Sequence, residues 1–199
     1  MVRMATWRVG LGLGLALTVI GCGQPMPLPA LTPAAQSAIF SRVVKAPSMG
    51  TENFKMVHDS LYRGGYPDDA ALKIAVQIGI KTIVNFQGGG GPFEDPGIAK
   101  EKAAATQLGI KFVNIRLPFT VEPPKPMLDQ LFNTLTDKAS QPCYVHCTHG
   151  RDRTGTMVSA YRIKYDGFTN DQALTEQETF GFEPKKYPIF AKFVETYRP

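Results

Sequence analysis

Residues 143–155 read Cys-Tyr-Val-His-Cys-Thr-His-Gly-Arg-Asp-Arg-Thr-Gly, and this stretch constrains the fold more tightly than any other in the chain. The run Cys143 to His146 is apolar and aromatic, the pattern of a short buried strand, whereas the chain from Thr154 onward has helical spacing. Cys147 therefore sits where a strand hands over to a helix. Backbone amides of residues 148–153 can curl around one oxyanion, and the following helix adds its positive N-terminal end to the same point. Gly150 and Gly155 permit the tight backbone path.

A helix N-terminus with neighbouring cations favours a thiolate, which makes Cys147 the candidate nucleophile. Arg153, six positions on, can fold back over the loop, and its planar fork suits two oxygens of a phosphoryl group better than a lysine would. Its expected role is to clamp the transition state. The hydroxyl of Thr154 can point at the cysteine sulfur and stabilise it as a leaving group when a phosphocysteine is hydrolysed. Thr148, His149, Gly150 and Arg151 complete the candidate substrate-binding loop. A structural cysteine beside a solvated basic turn would not require these residue types to coincide.

The segment HCTHGRDRTG resembles the HCX5R(S/T) signature of cysteine-dependent protein tyrosine and dual-specificity phosphatases, matching it at Cys147, Arg153 and Thr154. The resemblance implies an α/β fold with a central, mainly parallel sheet of about four to five strands flanked by helices. It also implies hydrolysis of phosphate monoesters through a phosphocysteine, with no metal and no organic cofactor. Phosphorylated proteins, phosphoinositides and inositol phosphates are the expected substrates. Rhodanese-like domains also place a cysteine loop after a strand, but theirs is usually shorter and lacks the Arg-Thr-Gly exit.

Such an enzyme needs a proton donor for the leaving oxygen. In many relatives this is an aspartate on an upstream loop, but the corresponding stretch, Arg116 to Pro124, contains only Glu122. The other candidate is Asp152, placed as in the DR-containing loops of myotubularin-like lipid phosphatases and of bacterial phosphatases with a KDRTG ending. Asp152 is ranked first and Glu122 second, with a loop-bracing role for Asp152 left open. His149 and Arg151 resemble the extra cations of phosphoinositide and inositol-phosphate phosphatases, although solvent-facing positions would explain them equally. A phosphotyrosine pocket wall could come from Tyr66, Phe93 or Phe119. The missing upstream aspartate keeps a second reading open, a membrane-surface module that binds anionic headgroups or phosphoproteins without turnover.

The N-terminus carries Arg3 and Arg8, no acids, and then an apolar run from Val9 to Ile20, too short for a comfortable membrane span and suited to a signal-peptide core. Its ending, Val19-Ile20-Gly21-Cys22, resembles the bacterial lipobox, which implies cleavage after residue 21 and lipidation of Cys22. Residues 1–21 are thus expected to be a signal peptide, 22–53 a lipidated Pro-rich tether, and 54–199 the phosphatase domain. Gly23 after Cys22 resembles outer-membrane sorting, so the expected location is the bacterial cell envelope, facing the periplasm and held to the membrane by lipid. Loss of residues 1–21 removes two arginines and no acid, taking the formal charge of +5 down to +3. So mild an excess gives no support to nucleic-acid binding. Cys143 and Cys147 stand roughly 13 Å apart on an extended strand, too far for a disulfide, and Cys143 is read as a core thiol.

Elsewhere the pattern alternates. A hairpin-like opening spans Phe54 to Val57 and Leu61 to Arg63, and helices are predicted over 68–78, 96–108, 127–138 and 154–166. Strands are predicted at 81–86, 111–115 and 143–146, and the glycine run 88–91 between elements lacks any nucleotide-binding spacing. Thr169 with Gln172 predicts a capping box for a helix ending at Gly181, and a last helix is predicted from Pro184. The stretch YRGGYP resembles the YRSGQP-type opening of bacterial and fungal relatives.

Overall fold

The computed structural model describes residues 48–88 and 95–199. The signal peptide, Cys22, most of the tether, Gly89 to Gly91 and Phe93 lie outside the described residues. Among those described, no helix is long and apolar enough to cross a membrane.

The elements run β1 (Lys55–His58), β2 (Leu61–Gly64), α1 (Asp69–Gln77), β3 (Thr82–Asn85), α2 (Pro96–Gln107), β4 (Lys111–Asn114), α3 (Lys125–Thr136), β5 (Cys143–His146), α4 (Asp152–Tyr165), α5 (Asn170–Thr179) and α6 (Pro188–Thr196). The five strands form one sheet in the order β1-β2-β5-β3-β4. Only β1 runs antiparallel; β2, β5, β3 and β4 are parallel neighbours. This is the mainly parallel α/β sheet expected from the sequence.

β5 lies at the centre and all four of its residues are buried. Its side chains alternate between two cores, as the pleat dictates. Cys143 and Val145 join Leu61, Val84, Leu131, Met157 and Phe190 on one face, while Tyr144 joins Leu72, Ala75, Ile83 and Ala105 on the other. Register then fixes the functional edge. His146 stands between Gly64 of β2 and Asn85 of β3, so the segments after all three strands meet at their carboxyl ends. In open parallel sheets this is the edge at which ligands bind.

Several boundaries shift by a residue or two, α3 among them, which spans Lys125–Thr136 against the predicted 127–138, and three differences bear on the site. α4 begins at Asp152, not Thr154, because Gly150 turns the chain at φ +68 and Gly155 N–H already bonds the Arg151 carbonyl at 3.0 Å. α6 begins at Pro188 rather than Pro184. The following proline pushes Tyr187 out of helical space to φ −126, ψ 63, and the segment from Glu183 forms a turn instead. Residues assigned to the tether also pack on the domain: Met49 is buried in the Tyr144 core, and Gly65 N–H donates to the Glu52 carbonyl at 2.7 Å. The Thr169–Gln172 capping box forms as predicted.

Candidate active site

Cys147 follows β5 directly and is 3% exposed, its loop closing against the first turn of α4. Gly150 is the pivot of that loop. At φ +68 it occupies left-handed space, and a Cβ there would fall on the Gly64 carbonyl group and on Gly65 N. The loop therefore rests on the Gly64-Gly65 backbone without room for a methyl group. Tyr66 N–H bonds the Thr148 carbonyl at 3.0 Å, and Asn53 Nδ2 bonds the His149 carbonyl at 2.9 Å. These bonds satisfy the loop carbonyls from outside.

Arg153, in the first turn of α4, is only 8% exposed. Its Nη1 donates to the Phe86 carbonyl at 3.4 Å and its Nη2 to Thr148 Oγ1 at 3.2 Å, while Nε is buried without a partner among the described residues. Gln87 Nε2 holds the same Thr148 hydroxyl oxygen at 2.9 Å. The Phe119 ring covers the guanidinium at 4.4 Å. Among the described residues no carboxylate pairs with Arg153. A buried cation balanced only by neutral groups is poised for an incoming anion.

Asp152 is 4% exposed; its Oδ2 lies 3.4 Å from Arg151 Nε, and its Oδ1 is buried without a partner among the described residues. A cavity of about 340 Å³ above Cys147 is lined by Phe119, Thr148, His149, Arg151, Asp152, Arg153, Lys186 and Tyr187. Beyond Phe119 a second cavity of about 460 Å³ also reaches Thr148 and Arg153. The structure thus gathers Cys147, Thr148, His149, Arg151, Asp152 and Arg153 around one space. Glu122 is exposed and lines neither cavity. Thr154 Oγ1 is buried without a hydrogen-bond partner among the described residues, Cys147 included, so the expected bond to the cysteine sulfur is not made. His149 sits at the rim with Nδ1 2.8 Å from Glu52 Oε2, which ties this candidate phosphate contact to a carboxylate.

The family described as DSP-PTPase phosphatase fused to NAD+ kinase matches residues 33–189. The chain belongs to this family. It is 26% identical over 153 residues to the dual specificity protein phosphatase TpbA of Pseudomonas aeruginosa, covering 77% of this chain and 64% of that protein. It is 27% identical over 111 residues to an inositol diphosphatase of Arabidopsis thaliana, covering 55% of this chain and 54% of that one. The chain thus spans less than two thirds of the length of either relative. The crystal structure of the core catalytic domain of a PP-IP phosphatase from S. cerevisiae, in complex with citrate, superposes with a TM-score of 0.61 at 25% identity, over 74% of this chain and 86% of that one.

Several residues of this family member's site carried no sequence signal. Arg63 of β2 is 1% exposed beneath the loop, and burial draws its guanidinium down to about 10 against the pull of Glu176 and Cys147. Gln177 of α5 donates to the Asp152 carbonyl at 3.2 Å and to Thr156 Oγ1 at 3.1 Å, bracing the first turn of α4. Lys186 and Tyr187 enter the cavity from the turn before α6. The Tyr187 ring stacks on Phe119 at 5.1 Å, which holds Phe119 in place over Arg153. Of the expected pocket-wall residues, Phe119 takes that role, whereas Tyr66 packs edge-on against His146 on the other face of the sheet. Cys143 is a free core thiol, pushed up to about 12 by burial.

Proposed function

We propose that the chain is a phosphatase that hydrolyses phosphate monoesters of phosphoproteins or of phosphoinositides and inositol phosphates. The observation that carries this reading is Arg153, a buried guanidinium with no carboxylate partner among the described residues, facing the same cavity as Cys147. The family relatives support it, since they are a dual specificity protein phosphatase and inositol diphosphatases.

In the proposed reaction Cys147 Sγ attacks phosphorus while Arg153 and the loop amides hold the phosphoryl oxygens. The ester P–O bond breaks, and Asp152 gives its proton to the leaving oxygen. Water then attacks the phosphocysteine, Asp152 takes a proton from it, and the S–P bond breaks to release phosphate. Asp152 is favoured over Glu122 because it lines the cavity with Cys147, whereas Glu122 is exposed and lines neither cavity. His149 and Arg151 stand at the rim, where they can meet further anionic groups of a substrate. Purified protein is tested on an aryl phosphate, phosphopeptides, phosphoinositides and inositol phosphates. Cys147→Ser should abolish phosphate release from every substrate while vanadate still binds; turnover that survives, or that requires a divalent metal, sinks the mechanism.

Lipid attachment through Cys22 and a periplasm-facing location at the outer membrane belong to the same proposal, supported by the apolar run ending in Gly21-Cys22. Incorporation of labelled fatty acid that is lost in Cys22→Ser is the expected result.

A further inference from the structure

Two basic residues at the cavity rim, His149 and Lys186, each have a carboxylate that the proposed reaction does not use. His149 Nδ1 bonds Glu52 Oε2 at 2.8 Å, and Lys186 Nζ lies 3.5 Å from Glu183 Oε1. His149 and Lys186 line the cavity with Cys147, and their acidic partners stand one side chain back from it. The Lys186–Glu183 pair joins two exposed side chains, and such pairs hold weakly. Glu52 is fixed from several sides. Its carbonyl accepts Gly65 N–H at 2.7 Å, and the hydroxyl of Thr51 before it lies 3.0 Å from that of Tyr144. Asn53 after it takes the left-handed conformation at φ 55, which asparagine adopts more readily than most residues, and sends Nδ2 to the His149 carbonyl at 2.9 Å. The same short segment thus grips the loop by its backbone and sets a carboxylate on the side chain of His149.

We propose that Glu52 is a specificity-determining residue whose charge disfavours a second phosphate beside the one bound over Cys147, so that the site takes singly phosphorylated esters in preference to polyphosphorylated ones. Whether the imidazole carries one proton or two, the flank formed by His149 and Glu52 has no net positive charge. A further phosphate arriving there meets a carboxylate in the place its counter-ion would take, and like charges so placed repel. Arg151 and Lys186 border the same mouth with Asp152 and Glu183 beside them. Arg153, deeper in the cavity, is different: no carboxylate pairs with it among the described residues, and one phosphoryl group satisfies it. The mouth is therefore balanced around a single deep cation, which suits one dianion and not a cluster of them. The inference rests on the phosphatase reading for the place of the scissile phosphate.

Glu52→Gln separates the charge from the architecture. The carboxamide oxygen still accepts a ring N–H of His149 and the backbone bonds are untouched, so only the charge is lost. The probes are a phosphotyrosine peptide without charged flanking residues and inositol hexakisphosphate, titrated into the full chain carrying Cys147→Ser, with and without Glu52→Gln. Affinity is read as displacement of bound vanadate, so that only binding at the loop counts. Glu52→Gln should raise the affinity for inositol hexakisphosphate roughly fivefold, the size expected of one unit charge acting through water on a neighbouring phosphate. Affinity for the peptide should move by less than about twofold, since its one phosphate lies at Arg153. The gain should shrink at high salt. Glu52→Lys, which reverses the charge, should raise hexakisphosphate affinity further, and it decides alone should the glutamine variant not fold. Equal changes for the two probes, or none, overturn the proposal, as does tighter binding of the hexakisphosphate than of the peptide when Glu52 is intact. These titrations need no turnover: absence of all binding at the loop sinks the phosphatase reading and this inference together, whereas peptide binding with an unshifted preference sinks the role of Glu52 alone.

Discussion

Arg63 Nη2 donates a 2.8 Å hydrogen bond to the carbonyl of Gly150, and the Phe180 ring covers the same guanidinium from 3.7 Å. A strand near the start of the domain, the apex of the loop and the end of α5 are joined by this one side chain. Arg63→Met keeps the length but removes every donor. The loss of a buried, charge-assisted bond should cost about 1.5–3 kcal/mol, which calorimetry would read as a melting temperature lower by roughly 5–10 °C. Hydrolysis of an aryl phosphate should fall with it, because the Gly150 carbonyl is then free to turn toward the substrate oxygens. An unaltered melting temperature and turnover would show that the brace is idle.

Gly150→Ala should be worse for activity than for folding. The substitution meets both a left-handed backbone and the Gly64 carbonyl, so the loop must lift off the Gly64-Gly65 segment. A displacement of about 1 Å suffices to lower kcat on the order of a hundredfold. Circular dichroism should remain native while kcat collapses; normal kcat would mean that the close approach is not required.

The two carboxylate candidates separate by pH profile. Asp152→Asn should depress kcat strongly and remove the limb of the kcat profile that reports the proton donor, whereas Glu122→Gln should leave both height and shape unchanged. The reverse ranking transfers the acid to the exposed loop and overturns the reading from cavity geometry.

Cys143 supplies an alkaline test. Its thiol normally titrates near 9 and is pushed up to about 12 in the fold, so between those values the folded state keeps a proton that the unfolded chain gives up. Stability must therefore fall as pH rises above 9. Urea midpoints taken at about pH 8 and about pH 10 should show a drop that Cys143→Val reduces. Rapid alkylation of Cys143 in the native protein at neutral pH would contradict its burial.

Sequence pattern located the strand, the loop and the following helix because all three are local: Cys143 to His146 by its apolar run, Gly150 by its turn, and the capping box by Thr169 and Gln172. What it did not locate is long-range. Arg63 reads as an ordinary strand residue, and nothing near it in the chain announces a partner 87 positions away. Glu101 stands in an alanine- and lysine-rich helix where a carboxylate normally faces water, yet it is buried against His146. A helix starting at Pro184 would contain Lys186 and Tyr187; the second proline, Pro188, keeps Tyr187 out of helical space, and both residues line the cavity instead.

The contacts of Arg63 with Phe180, of Asp152 with Gln177, and of Phe119 with Tyr187 all join the loop region to the segment from α5 onward. Whether a chain leaves the ribosome or threads through a membrane with its N-terminus first, Cys147 and Arg153 emerge well before the segments that brace them. A chain halted after α4 would carry the full signature yet have no finished pocket, so catalytic competence should arrive only with the emergence of α5 and the turn that follows it.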